Sequence, residues 1–167
     1  AGFDPRTALT PETFSRIPLL HRQDAQAAGA ALLSRQLPRE HGKVHEGKTS
    51  GSTGRPLKYS GSQYSQFIWQ SLTLRDHLWH KRNFRGKLAV IRVGTQNNAL
   101  NSWGPPADVV FETGPAATLD IGTAIASQAR WLQEQEPDYL LSYPSNILAL
   151  ANHCREQGIR LERLREV

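Results

Sequence analysis

Thr49-Ser50-Gly51-Ser52-Thr53-Gly54-Arg55-Pro56 separates two short segments, Lys43 to Lys48 and Leu57 to Ser60, that alternate apolar and polar residues. Alternation of that period marks half-buried strands, and two such runs joined by a Gly-rich connection predict a hairpin. Glycine lets the backbone double back so that successive N–H groups line one concave face, and Thr49, Ser50, Ser52 and Thr53 add hydroxyl donors. That combination suits phosphate oxygens. Ser/Gly runs also build ordinary turns and flexible linkers, so the flanking chain has to separate the two readings.

An overlapping pattern is misleading. Gly42-Lys43-Val44-His45-Glu46-Gly47-Lys48-Thr49 has the spacing of a Walker A loop. A Walker loop follows a buried strand and opens a helix, whereas here Leu37-Pro38-Arg39-Glu40-His41 precedes it and two glycines and Pro56 follow. Glu46 would set a negative charge inside the phosphate cradle, and the apolar run Leu88 to Val93 leads into Gly94 instead of an aspartate that could hold magnesium. The Walker reading is rejected.

Working outward, Thr10-Pro11-Glu12 starts a short helix and Arg22 to Ser34 predicts another, ended by Pro38. Beyond the hairpin, Ser60 and Ser62 cap a long helix from about Gln63 to His80, with Gln63 in capping-box register with Ser60. Tyr64, Phe67, Ile68, Leu72, Leu74, Leu78 and Trp79 give it a broad apolar face. Leu88 to Val93 reads as a strand covered on both faces of a parallel sheet. Gly94 to Asp108 reads as a long loop and Val109 to Glu112 as a strand. A helix over Gly122 to Gln135, a strand over Asp138 to Ser142 and a helix from Pro144 closed by Gly158 complete the alternation, and Leu161 to Val167 approaches one more strand. The fold class is therefore α/β, a mostly parallel sheet flanked by helices with a hairpin carrying the Gly/Ser loop. Residues 1–38 form a lead-in with a helix and residues 39–167 the α/β portion.

Composition narrows the partners. With 167 residues, 38% hydrophobic and 21% charged, the chain can bury a core and is no disordered polyelectrolyte. It has no apolar run of membrane-spanning length and no secretory leader, and its one cysteine, Cys154, excludes an internal disulfide; a cytoplasmic protein with no membrane partner is expected. The net charge of +5 fits a polyanionic small molecule, and because the arginines are scattered and not interleaved with aromatics, nucleic acid is the weaker partner. The absence of methionine and the start at Ala1 predict a piece of a longer chain. Asp76, His77 and His80 lack a third metal ligand at matching spacing and read as a solvated helix end, so no metal site is assigned. Cys154 reads as a small core residue.

The Thr49–Pro56 segment resembles the phosphate-binding signature of the adenylate-forming superfamily, which includes acyl-CoA ligases. Arg16-Ile17-Pro18-Leu19-Leu20 with Asp24, Pro137-Asp138-Tyr139 and Tyr143-Pro144-Ser145 resemble its phenylacetate-CoA ligase branch. Many members of the superfamily place a lysine directly after the proline; here Leu57 stands there and Lys58 follows, a departure shared with that branch. The resemblance implies the amino-terminal part of a large domain that activates a small-molecule carboxylate. The carboxylate attacks the α-phosphate of ATP with Mg2+ present, pyrophosphate leaves, and coenzyme A captures the acyl-adenylate. It assigns Thr49, Ser50, Gly51, Ser52, Thr53 and Gly54 to the ATP phosphates. Trp103 and Tyr143, in a long loop and at a strand-to-helix junction, are candidates for the acyl pocket. The acidic Thr-Glu segment, ribose-binding aspartate and mobile-domain lysine of the superfamily are absent, so no catalytic residue is assigned and the chain alone is expected to be inactive. A truncated sheet would expose an edge, which invites a homodimer. A non-catalytic scaffold of ligase fold and a basic nucleic-acid module are the alternatives.

Overall fold

The computed structural model describes residue 6 and residues 8–49 and 57–167. The chain divides into two compact units, Ala1–Ile68 and Trp69–Val167.

In the first unit, α1 (Pro11–Phe14) starts where Thr10-Pro11 predicts, with Thr10 and Thr13 satisfying each other's backbone N–H in a capping box. The second predicted helix is shorter than its composition implies. Helix α2 (Arg22–Ala28) gives way at Gly29 to a 3-10 turn over Gly29–Leu32. Strands β1 (Val44–Lys48) and β2 (Lys58–Ser62) pair antiparallel from Val44 opposite Ser62 to Lys48 opposite Lys58, so the two strands expected around the Gly/Ser run form one ladder. Helix α3 (Gln63–Trp79) follows directly. Of the two expected capping serines Ser62 holds: Ser62 and Ser65 exchange backbone-to-hydroxyl bonds of 2.8 and 3.2 Å, while Gln63 Oε1 accepts from Lys43 N–H at 3.0 Å. Ser60 lies inside β2 opposite Glu46 and is not the capping residue.

The second unit holds a four-stranded mixed sheet. Strands β3 (Leu88–Arg92), β4 (Asn98–Leu100), β5 (Ala116–Asp120) and β6 (Tyr139–Leu141) lie in the order β4-β5-β3-β6. Strand β3 runs parallel to β5 and β6, and β4 is antiparallel to β5, so the expectation of a mostly parallel sheet needs an antiparallel edge added. Helices α4 (Ala107–Val110), α5 (Ile125–Gln135) and α6 (Pro144–Gln157) complete the unit. The terminal segment expected to approach a strand makes a parallel bridge from Glu166 to Tyr139.

The predicted strand Val109–Glu112 is wrong. Ala107 is buried and anchors α4, whereas Val109 and Val110 are exposed and have no neighbouring strand to pack their branched side chains. The strand that occupies this part of the sheet is β5, which two successive alanines conceal from periodicity. Gly114 shows why the chain turns before it: a Cβ there would collide with the carbonyls of Arg85 and Gly86, and its N–H donates to Phe84 O at 2.7 Å. The loop expected over Gly94 to Asp108 contains β4.

Ala89, Ile91, Ala117, Leu119, Leu140, Ala129, Trp131, Leu132 and Leu150 form the core, with Cys154 packed against it as expected. In β3 only alternate residues are fully buried; Leu88 and Val90, on the other face, are partly buried. Coverage on both faces, inferred from the unbroken apolar run, does not hold in this chain. The apolar face of α3 is likewise uncovered, with no buried residue and Trp79 68% exposed. Helix α6 ends at Gly158 with φ +66°, the left-handed cap that the glycine predicts.

Candidate functional site

The hairpin builds the candidate phosphate site from its base. Thr49 N–H donates to Leu57 O at 2.9 Å, and Leu57 N–H donates to Thr49 Oγ1 at 3.0 Å, closing the ladder where the Gly/Ser run departs. The Arg22 guanidinium, at the first position of α2, reaches the same hydroxyl at 3.2 Å. Lys48 and Lys58 face each other across the last rung, a like-charge pair that disfavours the bare hairpin and suits a polyanion. Thr49 is the one predicted phosphate donor among the described residues; Ser50, Gly51, Ser52, Thr53 and Gly54 lie outside them. In the same unit, a cavity of about 560 Å³ opens between α2 and the hairpin, lined by Ala25, Gln26, Leu33, Glu46, Leu57 and Lys58.

Trp103 and Tyr143 fall at opposite ends of the parallel strands. Trp103 Nε1 donates to Gly86 O at 2.9 Å, just before β3, and its ring meets those of His77, Phe84 and Tyr139 at 5.4–5.6 Å. Tyr143 follows β6 and precedes α6; it is 38% exposed, and the Arg92 guanidinium lies 5.8 Å from its ring. They do not line one pocket together.

Beneath Tyr143, at the carboxyl ends of the parallel strands, lies a polar network that the sequence reading missed. Gln128, fully buried, donates from Nε2 to Ile121 O and Thr123 O at 3.1 and 2.6 Å. Asn146 donates to Gln128 Oε1 at 2.9 Å and to Ser142 Oγ at 3.1 Å, and Ser142 donates to Ile91 O at 2.9 Å. Asp120 accepts from Gly94 N–H and Gly122 N–H at 2.9 and 2.7 Å. The available signal was Gln128 itself, an amide three residues after Ile125 and four before Leu132, on the apolar side of its helix.

At the other end of the strands, Arg82 bonds Asp76 at 2.7 Å, Glu166 at 2.5 Å and His77 Nδ1 at 2.9 Å. Hydrogen bonds from Arg82 hold the Asp76 and Glu166 carboxyls below their ordinary values of 3.8 and 4.5. Burial, reinforced by the Arg82 charge, pushes His77 below 6.5. All three groups therefore bind fewer protons folded than unfolded, so the stability they contribute is complete above their unfolded values and is lost as pH falls. We expect the melting temperature of the chain to drop between pH 7.5 and 5 through His77, and further below about pH 4.5 through the two carboxylates. Thermal melts across pH 4–8 read this directly, and a flat profile from 7.5 to 5 would refute the role given to His77. Asp76, His77 and His80 meet arginine, carboxylate and aromatic partners, and among the described residues no three His, Cys, Asp or Glu side chains converge as a metal site would require. No helix among those residues is long and apolar enough to cross a membrane.

The α/β architecture is shared with solved acyl-CoA ligase structures. The chain is similar to solved structures of 2-hydroxyisobutyryl-CoA ligase in three states. In the postadenylation state with 2-HIB-AMP the TM-score is 0.61 at 20% identity over 94% of this chain. In the open conformation with 2-HIB-AMP and CoA it is 0.58 at 19% over 90%, and in the thioesterification state 0.53 at 21% over 90%. Identity at this level shows a shared fold. The chain spans about a third of those ligase chains, 33%, 35% and 32% respectively. No family model matches the sequence, and no curated protein matches it.

Proposed function

We propose that this chain is the amino-terminal part of the large domain of a cytoplasmic, ATP-dependent carboxylate-activating ligase of the phenylacetate-CoA ligase-like branch. The observation that carries the reading is the hairpin: a Ser/Gly run strung between paired strands, with Thr49, Lys48, Lys58 and Arg22 at its base, in a chain that follows the ligase fold over 90% or more of its length. That donor set fits the group it is asked to hold. Hydroxyl and guanidinium N–H donors with two facing ammonium groups match phosphate oxygens, and no side-chain carboxylate intrudes on the last rung.

When bound, ATP supplies the electrophilic phosphorus and the pyrophosphate leaving group. The part of this chain is to hold the polyphosphate so that its charge and position are set before the carboxylate approaches. Magnesium would be held chiefly by the phosphates themselves. The ligase structures above contain an acyl-adenylate and CoA, which supports a small carboxylic acid as substrate and coenzyme A as acceptor. Tyr143 and Trp103, at opposite ends of the parallel strands, are alternative and not joint candidates for contact with the acyl group, and the partly exposed sheet and α3 faces make self-association part of the proposal. The test is exchange of labelled pyrophosphate into ATP by the intact protein across aryl, short-chain and 2-hydroxy acids. Exchange that depends on one class of acid is the expected result, with none from this chain alone; no exchange with any acid would reject the proposal.

A further inference from the structure

The hydroxyl of Thr49 is engaged from two sides. Leu57 N–H donates to Oγ1 at 3.0 Å and the Arg22 guanidinium at 3.2 Å. A threonine hydroxyl has two acceptor lone pairs and one proton, and elsewhere its O–H rotates to suit its surroundings. With both lone pairs accepting, the proton is the only hydrogen-bonding capacity left, and it is directed away from both donors. Thr49 is thus fixed as a donor at the root of the Ser/Gly run, beside the facing Lys48 and Lys58.

We propose that Arg22 is the positioning residue of this site: it holds the Thr49 hydroxyl in its donating orientation toward an oxygen of a bound polyphosphate. Arg22 stands 27 residues upstream of Thr49, on a different element, and its fixed planar guanidinium supplies a directed N–H that a lysine would not. It also places a cation near the loop in a chain where Leu57 occupies the position after Pro56. The inference rests on the reading of the hairpin as a polyphosphate site.

The experiment titrates inorganic tripolyphosphate, then MgATP, into the chain and its variants by NMR or calorimetry. Thr49→Val, which deletes the hydroxyl at nearly constant shape, and Arg22→Met are each expected to weaken tripolyphosphate binding about tenfold. The double variant is expected to bind no worse than about the weaker single, because both remove one oriented donor. Thr49→Ser keeps the Leu57 N–H acceptor and the donor, and is expected to retain binding within about twofold, a rescue that a loss of hairpin structure would not give. Binding by every variant as tight as by the unaltered chain would overturn the role of Arg22 while leaving the polyphosphate reading in place. So would penalties that multiply to about a hundredfold in the double variant, since Arg22 would then act by charge and independently of Thr49. Failure of the unaltered chain to bind tripolyphosphate or MgATP would overturn both.

Discussion

Asp138→Leu is expected to lower the unfolding free energy of the chain by about 3 kcal/mol. The Asp138 side chain is 6% exposed, and its carboxylate accepts from Lys87 N–H at 2.8 Å and pairs with Arg163 at 3.3 Å and Arg165 at 3.4 Å. It therefore ties the residue before β3 and the carboxyl-terminal segment to the start of β6. Leucine would leave the Lys87 N–H unpartnered in a site closed to water. The two arginines are more than half exposed and would return to solvent at little cost. Most of the loss thus comes from the orphaned backbone donor and the released segment. Asp138→Asn retains one acceptor oxygen and is expected to cost about half as much. Urea titration followed by tryptophan fluorescence measures both, and a loss under about 1 kcal/mol for the leucine variant would refute the assignment.

Gln128→Leu is expected to cost a similar amount, about 3 kcal/mol, for a different reason. The side chain is fully buried, and the apolar replacement is close in volume, so little packing is lost. What is lost is the donor to Ile121 O and Thr123 O and the acceptor for Asn146. The two carbonyls would lose their side-chain donor, and the Asn146 amide would keep only its bond to Ser142 Oγ. Combining Gln128→Leu with Asn146→Leu removes both members of one bond and is expected to cost at least about 1 kcal/mol less than the sum of the single losses. Strict additivity in the same urea titrations would show that the two amides are not coupled.

These two residues also show what was legible in the chain and what was not. The helices at Gln63, near Gly122 and at Pro144 could be read from caps, periodicity and stop signals, because those are local. Strand β5 could not: Ala116 and Ala117 carry no β-branched or aromatic mark, although both are buried in the sheet just after the close turn at Gly114. Val109-Val110 shows the converse, a strand-forming pair with no strand to join. The hairpin was visible as two alternating runs around glycines. Arg22 was not, since nothing within α2 signals a partner 27 residues away. Asp138 stands out in the sequence only for its place in Pro137-Asp138-Tyr139, and its physical task depends on Lys87, Arg163 and Arg165, which converge only in three dimensions.

The pairing of Arg82 with Glu166, with the Glu166–Tyr139 bridge beside it, bears on how the unit is made during synthesis. The two residues stand 84 positions apart, so Arg82, Asp76 and His77 leave the ribosome well before the carboxylate that completes their cluster. The β3–β5 pair needs only residues up to 120, whereas the seam between residues 82 and 166 cannot close before residue 166 has been made. Until then the Arg82 guanidinium lacks the carboxylate that completes its cluster.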